Sequence, residues 1–287
     1  MGVQSRDQHD KTRASQKDQI ISPLIEQGQS PYHILTNHLE LDMSVRTLYS
    51  YLDQGLFTAR NIDLKRKVHF KPRKCHKTQI SDRAVFTNRL YRDSCSLALT
   101  GYVQMDTVHS SRKSKKTLLT MFFTKEKLFL AFLMNRCTKG AVRLVFDRLE
   151  KRMGTYEFAS VFEYILTDRG SEFGDPDALE TGVNGIQRSS IYYCDPMQSG
   201  QKGGLEQAHT MLRMILPKGT CFEFLTQWDI NLIVNHINST PRESLGGRTP
   251  YSVALETLGE EVLNAFQLRP IAPDEVNLTP KLIRFNH

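Results

Sequence analysis

From residue 20 to residue 52, apolar side chains recur every three or four positions, which is the spacing of one face of a helix. The first group stops at Gly28, a residue typical of a helix C-terminus. Ser30 and Pro31 are typical of an N-cap and a first turn and predict a second helix, and Ser44 predicts the start of a third, which ends at Gly55. Two short helices joined by a tight connection, the last one rich in polar side chains, predict a helix-turn-helix.

From Gly101 onward the pattern changes to the alternation and short apolar runs of strands. Three segments, Gly101–Asp106, Lys116–Thr124 and Lys127–Met134, are expected to pair as an antiparallel meander. An amphipathic helix is predicted over Thr138–Gly154 and a further strand over Val161–Asp168. That helix can therefore serve as the crossover to a strand parallel to the first.

The remaining pattern adds one strand, Ser189–Cys194, and three longer helices, Leu205–Leu216, Phe224–Ile237 and Pro250–Phe266. Trp228 falls on the apolar side of its helix and is expected in the core. This order of elements predicts an α/β fold: a ribonuclease-H-like mixed sheet flanked by helices, preceded by a small all-α helix-turn-helix module.

The pattern divides the 287 residues into four segments. We predict a helix-turn-helix DNA-binding module over residues 15–58, a basic linker over 59–99, the ribonuclease-H-like domain over 100–266 and a C-terminal tail over 267–287. No run approaches the roughly 18 apolar residues that a membrane span needs, and the N-terminus is polar. The expectation is a soluble, intracellular protein. Its five cysteines form no CxxC pair, which argues against a disulfide framework or a zinc knuckle.

Charge concentrates in the predicted linker. From Arg60 to Lys77 there are eight Lys or Arg residues against one Asp, a surplus equal to the net +7 of the whole chain. Such a stripe is typical of a polyanion partner, although a solvated basic linker has the same composition. Double-stranded DNA is the expected partner, and the alternative for the N-terminal module is a packing unit with no DNA role. The candidate DNA-binding residues are Arg46, Thr47 and Ser50 in the third helix and Lys65, Arg66, Lys67, Lys71 and Arg73 in the linker.

Three acidic residues stand at element ends of the predicted sheet. Asp106 and Asp168 end two strands that should be neighbours, and Glu206 lies in the first turn of a helix. Carboxylates placed together suit Mg²⁺ or Mn²⁺, and two such ions about 3.5–4 Å apart can clamp an in-line phosphoryl transfer. Each acid alone also has an ordinary explanation, since a strand-end Asp often forms a turn and Glu206 complements a helix dipole.

Five ordered stretches, Met105–Val108, Leu166–Phe173, Tyr193–Pro196, Gln201–Glu206 and Asn238–Arg242, resemble the successive signatures of the IS-thirty family of insertion-sequence transposases. The resemblance covers roughly residues 20 to 266. It implies a retroviral-integrase-type core that uses an Asp-Asp-Glu triad.

By that resemblance, Asp106, Asp168 and Glu206 form the catalytic, metal-binding triad, and Lys202 and Arg213 lie near the DNA backbone. The resemblance implies DNA strand cleavage and strand transfer at terminal inverted repeats, with two Mg²⁺ or Mn²⁺ ions. It also implies binding of the target DNA, a homo-oligomer on DNA, no membrane partner and a bacterial, cytoplasmic, nucleoid-associated location.

Two alternatives remain open at this point. One is a catalytically impaired remnant that acts as a DNA-binding protein, and the other is a metal-dependent nuclease of the same fold. Arg169 follows the second Asp directly, where the family commonly has Asn. Its guanidinium could pair with phosphate, or with Asp168 in competition with the metal.

Overall fold

The architecture is that of a computed structural model, which describes residues 16–64, 84–95, 101–195 and 198–283. The first described elements are three helices, α1 (residues 16–26), α2 (Pro31–Asn37) and α3 (Val45–Asp53). Ser30 and Ser44 cap α2 and α3, as predicted, each accepting a hydrogen bond from the backbone N–H three residues later. The module has a small core of its own, which includes Ile21, Ile25, Ile34, Leu48 and Leu52.

A five-stranded mixed sheet follows, with the strand order β3-β2-β1-β4-β5. The strands are β1 (Val103–His109), β2 (Thr117–Phe123), β3 (Phe129–Met134), β4 (Tyr164–Thr167) and β5 (Ser190–Tyr193). The first three pair as an antiparallel meander, and β4 and β5 continue the sheet in parallel to β1. The predicted ribonuclease-H-like fold class is therefore confirmed.

Helices cover both faces of this sheet. They are α4 (Tyr91–Cys95), α5 (Lys139–Met153), α6 (Thr155–Val161), α7 (Pro176–Glu180), α8 (Gly203–Ile215), α9 (Gln227–Asn238), α10 (Pro250–Leu258) and α11 (Glu260–Ala265). On one face α8 crosses β1 and β2, where the backbone N–H of Leu205 donates to Gln104 Oε1 at 2.9 Å. On the other face, Phe123 packs edge-on against Phe162 of the helical layer. None of the helices in the described ranges is long and apolar enough to cross a membrane.

The strand β1 extends three residues past Asp106, which the sequence pattern placed at the strand end. Its pairing with β2 continues to His109, whereas the neighbouring β4 ends at Thr167. Asp106 is thus internal to the antiparallel ladder but lies at the level where the parallel ladder stops. The predicted proximity to Asp168 does not depend on the strand boundary.

The strand predicted from Val161 begins later, at Tyr164, because Val161 is the last residue of α6. Gly154, with a φ of 87°, ends α5 and precedes this second helix. Phe162, which the sequence pattern assigned to the strand, instead stacks inside the helical layer, with its ring 4.6 Å from that of Phe158.

Two further expectations on the C-terminal helices were wrong. The helix predicted over Pro250–Phe266 is two helices, divided at Gly259, whose φ is 85°. Trp228 is 70% exposed rather than buried. It lies two residues, or about 200° around the helix, from the buried Ile230, so it points away from the core.

Segments on either side of the central domain also pack against it. Phe86 is buried with its ring 4.6 Å from that of Tyr193. In the tail, Val276 and Leu278 are buried, and the N–H of Leu278 donates to the carbonyl of Gln27 in the N-terminal module. The predicted segment boundaries stay a prediction, but the described parts of the linker and the tail contribute to one continuous core.

Candidate active site

Asp106 and Asp168 lie side by side because β1 and β4 are adjacent and parallel. The register pairs Gln104 with Leu166, and two more residues along each chain bring the two aspartates opposite each other. One oxygen of each carboxylate is fixed by the backbone. Asp106 Oδ1 accepts from the N–H of Thr107 at 2.7 Å, and Asp168 Oδ1 accepts from the N–H of Gly170 at 2.9 Å. The second oxygen of each carboxylate remains for a cation.

A lysine ammonium fills the position between these two free oxygens. Lys202 Nζ lies 3.0 Å from Asp106 Oδ2 and 3.5 Å from Asp168 Oδ2, and the lysine side chain is only 8% exposed. The ammonium also donates to the carbonyl oxygen of Met105 at 3.4 Å. The family resemblance implied a lysine near the DNA backbone, whereas in the structure Lys202 forms an ion pair with both aspartates.

The pKa of Asp168 is shifted by its burial and by the charges of Lys202 and Asp106. Burial raises the pKa of Asp168 above its ordinary value, Lys202 opposes that rise, and the neighbouring Asp106 adds to it. Two carboxylates that lie side by side repel each other, so a cation between them is stabilising. A neighbouring cation such as the Lys202 ammonium therefore stabilises the negative charge of Asp168.

The donor set fits a divalent metal ion. Two carboxylate oxygens converge on one cation, the ammonium of Lys202, which marks a position that Mg²⁺ or Mn²⁺ could occupy with the same ligands. Such an ion would be held by Asp106 and Asp168 once the ammonium had left.

Glu206, the third predicted acid, has no described contact with Asp106 or Asp168. It is exposed on α8, and within the described part of the chain its carboxylate makes no hydrogen bond or ion pair. Only its backbone carbonyl is engaged, accepting from Thr210 Oγ1 at 3.0 Å. Its helix is nevertheless docked on β1, the strand of Asp106, through Leu205 and Gln104.

His209 lies near the site but was not among the residues predicted from sequence. A histidine one helical turn after Glu206 has the spacing of an ordinary surface residue, so the sequence alone provided no strong signal. Its Nε2 lies 2.8 Å from Thr120 Oγ1, and that hydroxyl lies 3.0 Å from the carbonyl oxygen of Asp106. Burial lowers the pKa of His209 to about 4, which Asp106 partly counteracts. A neutral imidazole thus supports the strand that carries Asp106.

Arg213 and Arg169 are both engaged with the protein. Arg213 donates to the carbonyl oxygens of Leu216 and His109, at 3.4 and 3.3 Å, and burial lowers its pKa. Arg169 donates from Nε to the carbonyl oxygen of Cys194 at 3.3 Å and lies 5.0 Å from the centre of the Phe86 ring.

The predicted DNA-binding residues of α3 are at the surface. Arg46 and Ser50 are exposed, and Thr47 is half-buried beside the capping Ser44. Ser50 Oγ accepts from Gln54 Nε2 at 2.9 Å. The linker candidates Lys65, Arg66, Lys67, Lys71 and Arg73 lie outside the described residues.

Comparison with known proteins gives partial matches to mobile-element enzymes. The chain is 32% identical over 88 residues to transposase InsI of insertion sequence element IS30A from Escherichia coli K12, covering 30% of this chain and 21% of that protein. It is 34% identical over 100 residues to the transposase of insertion sequence element IS1086 from Cupriavidus metallidurans, covering 35% and 28% of the two chains. The putative integrase ORF3 of Spiroplasma virus SpV1-R8A2 B is 25% identical over 215 residues, covering 74% and 63%.

The chain is therefore similar in part to insertion-sequence transposases and to a viral integrase. The matched region spans only about a fifth to just over a quarter of the two transposases just named. No protein-family model matches the chain. Among solved structures, the catalytic core domain of BIV integrase aligns with a TM-score of 0.38 at 23% identity, over 54% of this chain and 94% of that domain.

Proposed function

We propose that this protein is a DNA transposase that cleaves DNA strands and joins them to new DNA at terminal inverted repeats, in a metal-dependent reaction. The observation that carries the proposal is the convergence of Asp106 and Asp168 on one buried cation at the end of the parallel ladder. The partial similarity to insertion-sequence transposases supports the same chemistry. Asp106, Asp168 and Glu206 are the proposed triad.

The aspartates would work as fixed metal ligands. When bound, a pair of Mg²⁺ or Mn²⁺ ions activates a water or a DNA 3′-hydroxyl and stabilises the departing oxygen of an in-line phosphoryl transfer. The chain's contribution is rigidity, because the N–H groups of Thr107 and Gly170 hold one oxygen of each carboxylate and aim the other at the cation. This arrangement requires no covalent nucleophile.

Glu206 and Lys202 would change their surroundings when DNA and metal bind. Glu206 is exposed at the start of α8 and is the proposed third member of the triad. Lys202 must leave the aspartates before a metal can take its place, and a DNA phosphate would then offer its ammonium a new anionic partner.

The N-terminal module and the basic segment are proposed to hold the DNA ends. Arg46, Thr47 and Ser50 lie on the outer side of α3, where a recognition helix presents its side chains to a groove. Strand transfer needs two ends held together, so we propose a homo-oligomer, at least a dimer, on DNA. Gel filtration of the protein with its end DNA checks this, and a strictly one-to-one complex would contradict it.

The test is cleavage and joining of a labelled duplex that carries the inverted repeats flanking the encoding DNA. The wild-type protein should cut and join strands in Mg²⁺ or Mn²⁺. Asp168→Ala should abolish both reactions and leave binding in a gel-shift assay intact, because the residue holds metal and makes no proposed contact with the repeat. Asp177→Ala, which removes an exposed acid of α7, is the matched control and should stay active.

Other outcomes separate the alternatives. Binding without cleavage in either metal would replace the proposal with a catalytically impaired DNA-binding remnant. Cleavage without joining would replace it with a metal-dependent nuclease.

A further inference from the structure

A second cluster of ligand-type side chains lies near the aspartate pair. His109 is the last residue of β1, Cys137 lies between β3 and α5, and Glu172 lies in the turn Ser171–Phe173 that follows β4. One ligand atom from each of the three, an imidazole nitrogen, the thiol sulfur and a carboxylate oxygen, lies within 4.8 Å of the other two. Three segments distant in sequence thus bring nitrogen, sulfur and oxygen donors to one place.

The carboxylate of this cluster is held in position by its neighbours. Thr107 Oγ1 donates to Glu172 Oε1 at 2.8 Å. A Cβ at Gly170 would lie 2.8 Å from Glu172 Oε2 and 3.0 Å from Asp168 Oδ1, so a side chain there would displace the Glu172 carboxylate. A hydroxyl that orients a ligating carboxylate is what metal sites commonly have around their ligands.

The types of donor differ from those of the catalytic candidate. Asp106 and Asp168 offer only oxygens, which suit hard cations such as Mg²⁺. A thiolate with an imidazole and a carboxylate suits Zn²⁺ and related thiophilic ions, which bind four ligands in a tetrahedron and often keep one position for water. His109 is exposed and the other two are half-buried, so an ion can enter from solvent.

We propose that His109, Cys137 and Glu172 form a binding site for a thiophilic divalent cation, with Zn²⁺ as the best match, separate from the aspartate pair. On binding, the Cys137 thiol releases its proton to solvent and the thiolate becomes a ligand. The ion ties the end of β1 to the loop before α5 and to the turn after β4. This inference does not rest on the proposed function.

Co²⁺ titration of the purified, chelator-treated full chain tests the site, because a thiolate bound to Co²⁺ gives a near-ultraviolet charge-transfer band. One equivalent of Co²⁺ should produce the band, and Zn²⁺ should abolish it by competition. Cys137→Ser should remove the band, while Cys221→Ser, at another half-buried cysteine, should keep it. Asp106→Asn should also keep it, which separates this site from the aspartate pair.

The remaining ligands are tested by affinity. His109→Gln and Glu172→Gln should each weaken Co²⁺ binding by more than the roughly tenfold expected for Thr107→Val, which removes only the orienting hydroxyl. Circular dichroism of each variant checks that it folds. Absence of a band in the wild-type protein, a band that survives Cys137→Ser, or unchanged affinity in both His109→Gln and Glu172→Gln would overturn the site.

Discussion

Two buried cations in this chain, Arg188 and Lys202, are each paired with two carboxylates, yet they are built differently. Arg188 Nη1 lies 2.7 Å from both Asp147 Oδ1 and Glu150 Oε2. Its other nitrogens donate to the carbonyl oxygens of Leu179 and Ala178, and the side chain is fully buried. The guanidinium also lies 5.5 Å from the ring centres of Phe146 and Phe158.

Lys202 has fewer and longer contacts than Arg188. Its ammonium has two carboxylate contacts and one carbonyl at 3.0 to 3.5 Å, and the side chain of its partner Asp168 is 46% exposed. A guanidinium fork fits several acceptors at fixed angles, whereas an ammonium is a compact charge that another small cation can replace. The difference indicates a permanent structural cation at Arg188 and an exchangeable one at Lys202.

The largest expected effect is at the permanent cation. Arg188→Met should lower the free energy of unfolding by about 3–5 kcal/mol, because it leaves the buried carboxylate of Glu150 without its counter-charge. Urea denaturation measures the loss. Arg143→Met, which removes a half-exposed arginine that contacts the same Asp147, is the matched control and should change stability by less than about 1 kcal/mol. Equal losses in both variants would remove the distinction.

A second prediction concerns the glycine that lets α8 approach the sheet. A Cβ at Gly204 would overlap the ring of Phe122, whereas one at Gly203 would meet nothing. Gly204→Ala should therefore cost about 1–3 kcal/mol of stability and displace the helix that carries Glu206. Gly203→Ala should be neutral or slightly stabilising in the same urea experiment. A neutral Gly204→Ala would show that α8 can shift without cost.

Removing the exchangeable cation, Lys202, should change stability less, and the change should depend on whether a metal ion is present. Lys202→Met should lower metal-free stability by about 1–2 kcal/mol, since the two aspartates then repel each other. Mn²⁺ should restore that stability and bind at least about tenfold more tightly than to the wild type, because no ammonium competes for the position. Calorimetric titration without DNA measures the affinity. Lys151→Met, at an exposed lysine, should leave it unchanged, and equal affinities in Lys202→Met and wild type would contradict an exchangeable cation.

These particular residues show what local sequence can predict. Short-range patterns predicted the caps at Ser30 and Ser44, the meander and the parallel strand before Asp168. They also predicted that the two aspartates lie close together. The position of Lys202 could not be predicted, because it depends on how closely α8 docks on Phe122. Trp228 was misplaced because its helix begins at Gln227 rather than Phe224, which left an exposed first-turn position looking apolar.

The smallest effect concerns His236, a neutral histidine of α9 that has no described contact with Arg188 or Lys202. His236 is buried, its Nδ1 accepts from the N–H of Asn277 at 3.1 Å, and burial lowers its pKa to about 4. The unfolded chain, with a histidine pKa near 6.5, binds a proton first as pH falls, so stability should be full above pH 6.5 and decline toward pH 4.

His236→Gln should reduce this decline by about 1–2 kcal/mol between pH 7 and pH 5, measured as the difference in urea midpoints from the wild type. Identical pH profiles for the two proteins would show that His236 does not remain neutral in the fold.

Hydrogen bonds join the N-terminal module to residues 273–278, and this affects how the two segments fold and evolve. Gln29 Nε2 donates to the carbonyl oxygens of Pro273 and Val276, at 2.9 and 3.0 Å, and the N–H of Leu278 donates to Gln27. During synthesis the N-terminal module therefore cannot form these contacts until residues 273–278 have been made. A recombinant exchange of the N-terminal module between relatives would have to include residues 273–278, because the hydrogen bonds join the two segments.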